Sequence, residues 1–157
     1  MRWRRKPMEV KIKKLYADSI LPTKAHETDA GYDLYTHSMN YDNDGNIVYG
    51  CGVVFEIPRG YVGLVFPRSS NAKKDLLLSN SVGVVDSGFR GEVTFKFKKF
   101  YPHVEHSGFM HNTTKDYGIR ERIGQIIIMP YPEIEFVESD SLSDSDRGLD
   151  SYGSSGK

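Results

Sequence analysis

Every apolar run in this chain is of strand length, and none recurs at the spacing of a helix. Short runs of alternating, β-branched or aromatic character occupy Val10 to Leu15, Val53 to Ile57, Tyr61 to Phe66, Val82 to Val85, Glu92 to Phe97, Ile123 to Met129 and Ile134 to Val137. Turn-forming residues separate them at Asp44-Gly45-Asn46, Pro58-Arg59-Gly60 and Ser87-Gly88. No window sustains apolar residues at i, i+3, i+4 and i+7, so a helix would have no stripe to bury. The pattern predicts an all-β domain, a sandwich or jelly-roll-like barrel with phenylalanine and tyrosine supplying much of the core. A chain of 157 residues fits one such domain and can bury a core without disulfides or metals.

Charge narrows the class of ligand. Lysine plus arginine and aspartate plus glutamate both total 21, so no overall field draws the protein to nucleic acid or membrane. A polyanion would have to be held by locally placed cations. The single cysteine, Cys51, excludes an internal disulfide framework, and no apolar segment approaches the ~20 residues that span a bilayer. A cytoplasmic location is expected. Residues 1–7 read as a basic N-terminal extension with no apolar stretch behind it, not a secretory signal, though Arg2, Arg4, Arg5 and Lys6, with Trp3 for stacking, also suit an acidic partner or nucleic acid. His103, His106 and His111 lie in a polar stretch with no cysteine or carboxylate at a ligand spacing, which favours a surface loop over a zinc site.

The main domain is expected over residues 8–137 and a flexible linker with a terminal arm over 138–157. Residues 138–146 are almost only Ser, Asp and Glu, too polar to bury a core. Then come Arg147 and Tyr152-Gly153-Ser154-Ser155-Gly156, whose backbone donors, hydroxyls and guanidinium suit phosphate oxygens. The twenty residues after Val137 could reach ~66–72 Å if fully extended, far enough to lie across a neighbouring subunit.

Asp86 stands at the end of an apolar run, just before the Ser87-Gly88 turn and the Phe89 ring. Read as a hairpin, this segment puts the carboxylate at its lip. Asp86 is either a turn residue accepting local backbone hydrogen bonds or a general base beside an aromatic wall. Further fragments suit a nucleoside triphosphate: Thr28-Asp29-Ala30-Gly31-Tyr32-Asp33, Arg68-Ser69-Ser70 after a strand, Asn80 with the paired donor and acceptor that read a base edge, and Arg122-Ile123-Gly124-Gln125.

In their order and spacing, from about Ala30 to Gly156, these fragments resemble the five motifs of the trimeric dUTPase family. The resemblance implies a β-clip, jelly-roll-like homotrimer in which three subunits share each active site by exchange of the C-terminal arm. It implies hydrolysis of dUTP to dUMP and pyrophosphate with Mg²⁺, which limits uracil in DNA and supplies dUMP for dTMP synthesis. Asp86 would polarise the water that attacks the α-phosphorus. Asn80 and the backbone of Gly83 and Val85 would read uracil, and Phe89, where the family usually has tyrosine, would pack on the deoxyribose. Arg68, Ser69, Ser70 and Gln125 would hold the phosphates, and Asp33 would meet the metal through water. Arg147, Gly153, Ser154 and Ser155 would close over the γ-phosphate, with Tyr152 stacked on uracil.

Two departures stand out. Asp150 and Ser151 replace paired glycines in the final motif, which implies weaker or slower closure of the arm. Gly124 stands where the fourth motif usually has alanine. The competing functions are a nucleotide-controlled partner-binding protein of viral or phage type and a relative that deaminates dCTP. Asp86 and the Tyr152 to Ser155 arm argue against the deaminase.

Overall fold

The computed structural model describes residues 7–99, 116–146 and 148. Arg147, Tyr152, Gly153, Ser154 and Ser155 lie outside the described residues, as do the basic run before Pro7 and the three loop histidines. In chain order the elements are β1 (Lys11–Lys14), β2 (Tyr32–Tyr35), β3 (Ser38–Tyr41), β4 (Ile47–Gly50), β5 (Val53–Glu56), β6 (Tyr61–Pro67), a 3-10 turn at Ser69–Lys73, β7 (Leu76–Leu78), β8 (Gly83–Val85), β9 (Thr94–Lys99) and β10 (Arg122–Pro130). The all-β expectation holds. Among the described residues two four-stranded sheets, ordered β2-β10-β6-β8 and β3-β4-β9-β7, accompany a β1-β5 ribbon, and every strand ladder is antiparallel.

Alternation explains the core. In β9 Phe95 and Phe97 turn inward while Thr94, Lys96 and Lys98 face out, and the ladder sets Phe95 against Tyr49 and Phe97 against Ile47. These inward rows join Leu34, Val65, Val85, Ile123 and Ile126 of the other sheet in one cluster. Each fully buried large apolar side chain contributes about 1.5–3 kcal/mol. Cys51 is buried there, and burial pushes its thiol pKa upward, away from the reactive thiolate.

Two expectations fail. Among the described residues Ile134 to Val137 belongs to no strand, and Phe136 is 92% exposed. The Ser87-Gly88 turn is not a hairpin either. β8 pairs with β6, whereas β9 pairs with β4 and β7, so the turn carries the chain from one sheet to the other.

The Gly124 departure has a packing reason. A Cβ there would lie 2.8 Å from the Phe66 carbonyl oxygen and closer still to the Phe95 ring, so the buried aromatic occupies the space of the usual alanine methyl. Gly124→Ala is expected to lower stability by about 1–3 kcal/mol through overpacking, measured by urea denaturation. A second change, Phe95→Leu, should recover part of that loss.

Candidate active site

At one end of β6 three elements converge on a single carboxylate. β2 and β10 pair with a register shift between Arg122 and Gly124, so Ile123 is the extra residue of a bulge. Arg122 Nη1 donates to Asp33 Oδ2 at 3.1 Å. From the other side Arg68, the first residue beyond β6, donates from Nε to Asp33 Oδ1 at 3.0 Å and from Nη1 to Ser70 Oγ at 3.3 Å. One carboxylate thus holds two guanidinium groups beside each other. Gln125 sits opposite Asp33 and Phe66 in the ladders, and its amide lies over Gly31, where any Cβ would collide with it. Together Asp29, Asp33, Arg68, Ser69, Arg122 and Gln125 line much of a cavity of about 340 Å³.

The segment carrying Ser69 and Ser70 is tied into the core by contacts that sequence reading missed. Asn71 Nδ2 donates to the Leu76 carbonyl at 2.8 Å, and the Tyr117 hydroxyl donates to Asn71 Oδ1 at 2.9 Å. The Tyr117 N–H in turn donates to the Tyr49 hydroxyl at 3.1 Å. Lys74 Nζ lies 4.1 Å from the centre of the Tyr117 ring and 3.3 Å from Glu121 Oε1. Burial pushes the Tyr117 phenol up to about 12, so it remains a donor at neutral pH.

Asp86 stands apart from this cluster. It follows β8, whose last residue Val85 pairs with Gly63, and so lies beside Val62, while Arg68 is six residues farther along β6. At ~3.3 Å per residue the two are ~20 Å apart along the strand. The Asp86 side chain is exposed, and its carboxylate makes no hydrogen bond or ion pair with another described residue, contrary to the turn-capping reading. Phe89 is half exposed on the same turn, whose closing bond runs from its N–H to the Asp86 carbonyl at 3.0 Å. Val85 points its side chain into the core, and Gly83 packs against Val65, so only their backbones can meet a ligand. β8 is the last strand of its sheet, which leaves its outer edge of N–H and C=O groups open. Asn80 is exposed on the turn before it, beside Gly83.

One chain therefore brings Asp33, Arg68, Ser69 and Gln125 together, with Ser70 behind Arg68, and groups Asn80, Gly83, Val85, Asp86 and Phe89 along β8. It does not join the two groups. Among the described residues no three His, Cys, Asp or Glu side chains gather as a metal cage, and no helix is long and apolar enough to cross a membrane.

Comparison with known proteins gives one consistent result. The family model for dUTPase matches residues 17–156. A deoxyuridine 5'-triphosphate nucleotidohydrolase of Corynebacterium diphtheriae is 33% identical over 96% of this chain and 95% of its own length. One from Nautilia profundicola is 34% identical over 96% and 100%. Among solved structures, a mutant of the Staphylococcus bacteriophage 80alpha dUTPase with dUpNHpp superposes with a TM-score of 0.75 at 27% identity, covering 95% of this chain and 99% of that one. One structure of that phage enzyme carries mutations of two aspartates and a serine together, and another a mutation of a tyrosine three positions beyond the first of those aspartates; both are described as phage dUTPases that control transfer of virulence genes.

Tyr117→Phe removes the donor to Asn71 and leaves that amide oxygen unpaired. The expected loss is about 0.5–1.5 kcal/mol of stability, measured by urea denaturation.

Proposed function

The chain belongs to the dUTPase family, and from that membership we propose the following division of labour for the hydrolysis of dUTP to dUMP and pyrophosphate. Asp86 polarises a water molecule for in-line attack on the α-phosphorus. Its exposure and lack of described partners leave the carboxylate available for that task. The phage enzyme's mutated aspartate and tyrosine have the spacing of Asp86 and Phe89, which supports giving these two residues a paired role.

Arg68, Ser69 and Gln125, with Arg122 beside them, take the phosphate chain in the cavity they line. Charge-assisted bonds from a planar guanidinium suit phosphate oxygens. The open edge of β8 reads uracil through the backbone of Gly83 and Val85, with Asn80 completing the pattern. A backbone edge pressed against the ring leaves no room for the C5 methyl of thymine, and cytosine mismatches its donors and acceptors. Phe89 packs on the deoxyribose and excludes a 2′-hydroxyl with its ring alone. Arg147, Gly153, Ser154 and Ser155 close over the γ-phosphate, and Tyr152 stacks on the base.

The cofactor is Mg²⁺. Both oxygens of Asp33 already accept from arginines, so an inner-sphere metal bond would displace one of them. A contact through water fits this donor set, as Mg²⁺ normally keeps several waters and is shared with substrate phosphates. When bound, it neutralises charge on the triphosphate and its pyrophosphate leaving group.

The observation that carries this reading is the ~20 Å between Arg68 and Asp86 along β6, which calls for a second chain to complete the site. A homotrimer supplies it. The outer face of the β6 sheet carries Val62, Leu64, Phe66, Val84, Ile127 and Met129, an apolar surface left part-exposed or exposed in one chain. The exposed Ile134 and Phe136 give the arm apolar residues to lay across a neighbouring subunit. The single cysteine and absence of a spanning helix among the described residues are compatible with a cytoplasmic enzyme. Nucleotide-controlled binding of a regulatory protein is a second reading, favoured by the phage dUTPases described as controlling transfer of virulence genes.

Asp86→Asn is expected to keep dUpNHpp binding in the presence of magnesium while pyrophosphate release from dUTP falls by ~10²–10⁴-fold. Unchanged turnover would remove Asp86 from the mechanism.

A further inference from the structure

The turn that presents Asp86 and Phe89 has little support from the sheets. β8 ends at Val85, and the next ladder-like bonds come at Val93, whose N–H donates to the Val53 carbonyl at 3.1 Å and whose carbonyl accepts from Cys51 N–H at 3.0 Å. Between them, within Asp86 to Gly91, the backbone makes the one turn bond from Phe89 N–H to the Asp86 carbonyl. The remaining described hydrogen bonds of that stretch come from Arg90. Its Nη1 donates to the Ser87 carbonyl at 2.7 Å and to the Phe89 carbonyl at 2.9 Å, bridging both sides of the turn. The Phe89 ring is seated over Gly91, where a Cβ would stand 2.5 Å from the ring's Cζ.

We propose that Arg90 is a positioning residue of the reaction: its guanidinium clasps the Ser87 and Phe89 carbonyls and so holds the Asp86 carboxylate and the Phe89 ring in one fixed relation. The clasp rests on the reading that Asp86 polarises the attacking water. A water activator displaced by about 1 Å loses on the order of 10²-fold in rate, so a turn without ladder support needs another restraint. The guanidinium is planar, permanently charged and aimed at two carbonyls at once. A lysine ammonium is a flexible point charge and would hold the turn less rigidly. Arg90 is exposed, so its replacement removes no core packing.

The test uses the full chain with dUTP turnover, dUpNHpp affinity and thermal unfolding, for Arg90→Ala, Arg90→Lys and Asp86→Asn. Arg90→Ala is expected to lower kcat by about 10- to 100-fold with the unfolding midpoint unchanged, and Arg90→Lys to fall between it and the unmodified protein. Millimolar guanidinium ion should restore part of the lost kcat in Arg90→Ala and none in Asp86→Asn. Turnover of Arg90→Ala within about twofold of the unmodified protein would overturn the clasp, as would a loss that tracks a lowered midpoint and ignores guanidinium. Full turnover in Asp86→Asn would instead overturn the water-activator reading beneath it.

Discussion

The double pairing of β6 is the constraint on which the rest depends. With β10 on one side and β8 on the other, its register places Gly124 opposite Pro67 and Val85 opposite Gly63. The first pairing brings Gln125 and the Arg122 bulge to the Arg68 end of the strand. The second carries Asp86 to the other end. Antiparallel ladders allow no slippage here, since a one-residue shift would turn Val65, Ile126 and Val85 out of the core. The chain is therefore committed to presenting the Arg68 cluster, proposed as the phosphate half, and the Asp86 turn, proposed as the water-activating half, on opposite ends of one sheet.

Each half is held by different physics. The phosphate half is electrostatic: Asp33 offsets the mutual repulsion of Arg68 and Arg122, and the 3-10 turn that follows Arg68 is moored to the core through Asn71 and Tyr117. The other half is backbone: an open strand edge, a turn with one internal bond, and an arginine across it. The first offers side-chain charges and hydroxyls to a ligand, whereas the second offers a backbone edge and an aromatic ring. That division suits an enzyme that binds by charge and selects by shape.

Much of this was legible in the residues. Strands rich in β-branched and aromatic residues, such as β6 and β10, announce themselves by alternation, and the order of the Arg68, Asn80, Asp86 and Gln125 fragments points to the family. β2 does not, because Tyr32-Asp33-Leu34-Tyr35 buries only Leu34 fully and gives Asp33 to the site. β7 is too short to show a period. The Ser87-Gly88 turn has the composition of a hairpin, and only pairing partners distant in sequence reveal that it crosses between sheets. The mooring of Asn71 by Tyr117, the joining of Arg68 and Arg122 by Asp33, and the clearance that Phe95 takes at Gly124 all link residues far apart in the chain, and no local pattern encodes them.

In the proposed trimer Arg68 of one chain works with Asp86 of another, and subunit mixing separates this arrangement from a site built within one chain. Asp86→Asn and Arg68→Ala chains, each deficient alone, are unfolded together in equal amounts, refolded, and assayed for pyrophosphate release from dUTP. In the proposed trimer about a quarter of the sites draw an intact Arg68 from one chain and an intact Asp86 from its neighbour, so turnover returns toward that fraction of the unmodified rate. Turnover that stays at the level of the two separate variants would place both residues in the same chain's site and contradict the account.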